Sequence, residues 1–135
     1  MDEILKDLAN YALDHKIGVF FRPVSLETVA QVNPRKRLIF INTNYKIKEQ
    51  LPLQLAHEIC HVMNGDDSLN RLYYSSSLYG VENQANIGAL RMLAPYYIED
   101  KPEEYITVDG FMETFAIPEH QRAIAEHVLF NVIGT

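Results

Sequence analysis

The sequence predicts an α+β fold, on three observations. Apolar residues recur at helical spacing at the N-terminus and again in the last third of the chain. Three short runs rich in β-branched and aromatic residues, punctuated by proline and polar turns, fall within residues 19–42. After them comes "LAHEICHVMNGD", Leu55 to Asp66, where two histidines stand four residues apart with a glutamate directly after the first. The expected architecture is a small antiparallel or mixed sheet packed on the helix that carries this stretch and on a second helix, with a helical C-terminal tail.

The elements follow in order. Ile4, Leu5, Leu8, Tyr11 and Ala12 repeat with helical period, so residues 2–16 form an amphipathic helix that Lys16-Ile17-Gly18 ends. "VFFR" is a short strand stopped by Pro23. "ETVAQV" and "RLIFIN" flank "NPRK", a hairpin with a polar turn. The second run is apolar on both faces, which predicts cover on both sides. A helix begins near Pro52, a good first-turn residue, and runs to about Met63. Another spans roughly Val81 to Ala94 and is expected to stop at Pro95. The long polar, tyrosine-rich connection "NGDDSLNRLYYSSSLYG" between them is a candidate cleft wall. Two short helical patterns, around Phe111–Ala116 and Pro118–Phe130, close the chain.

Composition narrows the class. A length of 135 residues suits one domain, and 47% hydrophobic against 22% charged residues is an ordinary globular balance. The net charge of -6 argues against direct nucleic-acid binding, which needs clustered cations. The terminal helical pair is no helix-turn-helix reader either. From Asp109 to Asn131 it sets Asp109, Glu113, Glu119 and Glu126 against Arg122 alone. One cysteine excludes an internal disulfide. The acidic, amphipathic N-terminus is unlike a signal peptide, and no apolar run approaches the ~20 residues of a membrane span. The expected location is cytoplasmic, with no membrane association.

The histidines carry the chemistry. At 100° per residue His57 and His61 sit about 40° apart on a helix, so both imidazoles can reach one ion. Leu55, Ile59, Val62 and Met63 fall about 140–240° from His57, which leaves an apolar back opposite the pair. Glu58, offset by about 100°, is better placed to hold a water than to ligate. Two surface histidines beside a capping glutamate would be the bland alternative. The full HExxH pattern on an amphipathic helix favours zinc. Cys60 is assigned to packing. For a third ligand two residues compete: Asp67, six after His61, and Glu82, which opens the next helix with Asn86 one turn later. His15 near a helix C-terminus, and His120 and His127 on the last helix, have no spacing that recommends them as ligands.

"LAHEICH" followed by "VENQANIGALRMLAP" resembles the ImmA/IrrE family of bacterial and phage zinc peptidases. The family's second motif reads approximately E-x-E-A-N-x-F-A-x-x-L-L-M-P. Here Glu82 takes the ligand position, Ala85-Asn86 match the "AN", and Ala89, Leu93 and Pro95 match the later positions. Gln84, Gly88, Met92 and Ala94 depart from it. The resemblance implies a single zincin-like metallopeptidase domain over residues 1–135, with Zn²⁺ on His57, His61 and Glu82. It also implies cleavage of a helix-turn-helix repressor as an anti-repressor function of phage or mobile elements. Glu58 would be the general base of a zinc endopeptidase. Asn86 could fix a histidine tautomer, and Tyr73, Tyr74 or Tyr79 could line the groove or stabilise an oxyanion. The rival expectation is a zinc-stabilised binding module that sequesters a repressor without cutting. An intact Glu58 favours catalysis.

Overall fold

The computed structural model describes residues 2–65 and 77–134, and the side chains of residues 3–65 and 83–134. The described chain is α+β: five helices and a small three-stranded mixed sheet. Helix α1 is Asp2–Asp14, and strands β1, β2 and β3 are Gly18–Arg22, Gln31–Asn33 and Leu38–Asn42. Helix α2 is Leu51–Met63, α3 is Ser77–Ile98, α4 is Val108–Phe115 and α5 is Arg122–Ile133. Among the described residues no helix is long and apolar enough to cross a membrane.

Helix α1 ends two residues before the expected boundary. Lys16 takes a left-handed conformation (φ 62°), and the Ile17 amide donates to the Ala12 carbonyl at 2.9 Å, a closure that turns the chain directly into β1. Strand β3 is central. It pairs with β1 in parallel, Gly18 opposite Leu38, and with β2 antiparallel, Asn33 opposite Leu38. The expectation of cover on both faces holds only in part: Ile39 and Ile41 are buried, whereas Leu38 and Phe40 on the other face are half-exposed.

The hairpin's first strand is shorter than its sequence suggests. Only Gln31–Asn33 pair, and residues 23–30 form an irregular loop. The reason is Asn42, wholly buried at the end of β3. Its Oδ1 accepts from the amides of Val24 (2.9 Å) and Asn44 (3.0 Å). Its Nδ2 donates to the carbonyls of Ser25 (2.6 Å) and Thr28 (2.9 Å). One side chain thus takes the backbone groups that a longer strand would have offered to the ladder. The loop is tied to α2 as well, because the Ala30 amide donates to Gln54 Oε1 at 3.0 Å.

Helix α3 passes through Pro95 rather than stopping there, and it begins at Ser77, within the stretch expected to be a loop. A helical proline forfeits one intrahelical bond and costs about 3 kcal/mol. The turn beyond it recovers that loss by packing. Tyr97 is buried against Phe111, ring centroids 5.4 Å apart, and its hydroxyl accepts from the Thr107 amide at 3.2 Å. The Glu99 amide bonds the Pro95 carbonyl, so the helix closes one turn past the proline.

The buried side chains form one cluster in which α2 is central, packed against α1, the sheet and α3. The approach of α2 to α3 depends on Gly88. A Cβ there would stand 2.7 Å from Cys60 Sγ and 3.5 Å from Cys60 Cβ, so the helices cross at van der Waals distance only because the side chain is absent. Gly88→Ala is therefore expected to destabilise by about 1–2 kcal/mol, even though alanine is the better helix former. In a Cys60→Ala background the same change should become neutral or stabilising, and urea denaturation of the four proteins measures that coupling.

Candidate metal centre

The local sequence builds the centre without strain. Pro52 sits in the first turn of α2, where its missing amide hydrogen costs nothing, and no proline or glycine interrupts the helix before Asn64. Leu55, Ala56, Ile59 and Val62 are fully or almost fully buried, anchoring the back of α2 in the core. Met63 is not part of that back: at 42% exposure it lies at the helix end, beyond the reach of the packed elements.

His57 and His61 face each other across one helical turn. Their Nε2 atoms are 3.0 Å apart and the rings meet edge to face, with centroids 4.6 Å apart at 79°. Two nitrogen ligands of a tetrahedral zinc ion stand roughly 3.4 Å apart, from Zn–N bonds of about 2.0–2.1 Å, so a small adjustment accommodates the ion. Glu58 Oε1 lies 4.0 Å from His57 Nε2. One ligand atom from each of His57, Glu58 and His61 falls within 4.8 Å of the others, the grouping expected of a metal-binding cluster. Glu58 and His61 are 8% and 2% exposed, while His57 reaches the opening.

These three side chains line a pocket of about 430 Å³, within the size range of small-ligand and peptide subsites. Its walls come from four parts of the chain. Val29, Ala30 and Val32 bring the β2 side, α2 forms the floor, Asn86 represents α3, and the segment from Pro118 to Gln121 closes the far side. A relay of amides holds two of these walls to α2. Gln54 Nε2 donates to Gln50 Oε1 at 3.0 Å, and Gln50 Nε2 donates to the Ala116 carbonyl at 2.9 Å.

The chain matches no family model, no curated protein and no solved structure. The geometry is therefore judged on its own chemistry.

The structure brings together His57, Glu58, His61 and Asn86. Asn86 lines the pocket, half-exposed. Glu82 lies on α3 one turn before Asn86, and Tyr79 lies in the first turn of the same helix; the side chains of both are outside the described ones. Asp67, Tyr73 and Tyr74 lie outside the described residues. Cys60 points away from the cluster. Its Sγ contacts Met92 Sδ at 3.9 Å, and burial pushes the thiol up to about 11, which keeps it protonated at neutral pH. That agrees with packing.

His120, which the sequence set aside as a ligand, and Gln121, which it did not single out, also line the pocket. Nothing local marks them, because they reach the site through tertiary packing of the terminal helices. His15 and His127 are elsewhere: the first bonds the Tyr11 carbonyl at 2.8 Å and stacks on its ring, and the second lies 3.1 Å from Asn131 Nδ2.

One zinc per chain should be retained through gel filtration and measured by elemental analysis. His61→Ala should abolish that binding, and Glu82→Ala should weaken it by roughly 10–100-fold or more, as loss of a ligand demands. Normal zinc affinity in Glu82→Ala together with loss in Asp67→Ala would reassign the third ligand.

Proposed function

We propose that the chain is a zinc-dependent endopeptidase of zincin-like fold, with His57, His61 and Glu82 as metal ligands and Glu58 as general base. The observation that carries the reading is the buried Glu58 carboxylate beside two converging imidazoles, on the floor of a pocket that opens at the surface. A structural site closes on four protein ligands and has no use for an acid at its side; a hydrolytic site keeps a position open and needs one. The donor set of two histidines and a carboxylate fits zinc, and no thiolate is offered. The placement of Glu82, one turn before the pocket residue Asn86, supports its part in the set.

When bound, zinc supplies Lewis acidity to a water and to a carbonyl oxygen at neutral pH. The chain's own residues do the rest. His57 and His61 present Nε2 from adjacent turns of one rigid helix, so neither has to be ordered on binding. Glu58, ionised, accepts the proton of the attacking water at a carboxylate oxygen and delivers it to the leaving amine nitrogen.

An extended peptide suits the pocket. Strand β2 is a sheet edge among the described residues, and the segment that leads into it lines the site, so a substrate backbone can run alongside. The resemblance to the ImmA/IrrE family suggests the substrate class, a helix-turn-helix repressor.

Glu58→Gln should leave zinc content unchanged and lower hydrolysis by at least about 100-fold. Co-expression of each form with a repressor encoded beside the gene, followed by immunoblotting, reads this directly. Fragments are expected with the wild-type chain and not with the variant. Fragments with both would remove Glu58 from the chemistry, and loss of repression without fragments from either would favour a sequestering module.

A further inference from the structure

We propose that Gln121, on the wall opposite α2, recognises the peptide backbone of the substrate; the inference rests on the peptidase reading and adds to it a recognition group. Three observations place it. Gln121 is 8% exposed yet lines the same pocket as His57, Glu58 and His61. Its Oε1 is buried and has no hydrogen-bond partner among the described residues. Gln50 and Gln54, the other glutamines of the pocket, both use their Oε1 and Nε2 in internal bonds, to each other and to the backbone of Ala30 and Ala116.

The contrast is the argument. A buried acceptor left without a donor is destabilising, and an apolar side chain of the same volume would carry no such cost. A fold that satisfies two neighbouring carboxamides and leaves the third open holds that third one for something else. The group opposite a zinc cluster that needs donors and acceptors is the backbone of an extended peptide, whose amide N–H matches Oε1 and whose carbonyl matches Nε2. Rotation about the terminal amide torsion is soft and two-fold, so either end can be turned to the ligand.

The position is held firmly. The Gln121 amide donates to the Pro118 carbonyl at 2.9 Å, and Gln50 Nε2 fixes the Ala116 carbonyl at the start of the segment. Arg122, the next residue, pairs with Asp109 at 2.7 Å and with Glu119 at 2.6 Å, clamping the turn onto α4. Recognition groups on such a preformed turn lose little freedom on binding.

Two zinc-chelating probes test it on the zinc-loaded full chain. Acetohydroxamate carries only the chelating group, whereas an N-blocked leucyl-alanine hydroxamate carries peptide amides too. Calorimetric titration of Gln121→Leu should show the peptide hydroxamate weakened about tenfold, with zinc content and acetohydroxamate affinity unchanged. Its melting temperature should equal or exceed that of the wild type, since the variant removes an unsatisfied acceptor. Gln121→Met, closer in shape, repeats the test if leucine does not pack. Equal peptide affinity in variant and wild type would overturn the proposal, as would a parallel loss of zinc, acetohydroxamate binding and thermal stability, which marks a structural role. Failure of both hydroxamates to bind the zinc-loaded wild type would sink the peptidase reading itself, and this inference with it.

Discussion

The structure turns on the burial of two polar side chains in a helix that otherwise belongs to the core. Glu58 and His61 are almost as inaccessible as the leucines and isoleucines around them. Burying a carboxylate is expensive unless it is paired or faces a cation, and a buried imidazole demands partners for both ring nitrogens. His57, Glu58 and His61 form a group that could hold a metal ion. The rest of α2 is anchored in the core by Leu55, Ala56, Ile59 and Val62.

The pinning can be followed residue by residue. Gly88 lets α3 lie against Cys60, Asn42 folds the 23–30 loop back so that Val29 and Ala30 reach the pocket, and the Gln54–Gln50 relay ties that loop and the end of α4 to α2. Ala116 accepts a left-handed conformation (φ 50°) to turn the chain from α4 toward the far wall, a strained choice for a residue with a side chain, held by the Ile117 amide bonding the Met112 carbonyl at 2.9 Å. Apart from the Ala116 turn, each device joins segments distant in sequence.

Much of this was legible beforehand, and the misses have physical causes. The HExxH helix, its boundaries and most of its apolar back follow from period and from Pro52, because these are local properties of one helix. The α+β class follows from the same periodicities. Parallel pairing of β1 with β3 was not legible, since strand order is set by how α1 and α2 pack and not by any single run. "ETVAQV" misled because Asn42, far along the chain, competes for its backbone. Pro95 misled because the packing of Tyr97 outweighs one lost hydrogen bond. The imidazole pair was readable and the opposite wall was not: Gln121 enters the site through tertiary contacts alone. For Glu82 the family resemblance goes further than spacing, which also admitted Asp67.

X-ray absorption at the zinc edge, on the protein loaded with one equivalent of zinc, addresses the centre most directly. The expected spectrum shows two imidazole nitrogens and otherwise oxygen neighbours, all at about 2.0–2.2 Å, with no sulfur. A sulfur neighbour near 2.3 Å, the bond length that a thiolate such as Cys60 would give, or a shell of four protein donors with no oxygen from solvent, would contradict an open hydrolytic centre on α2.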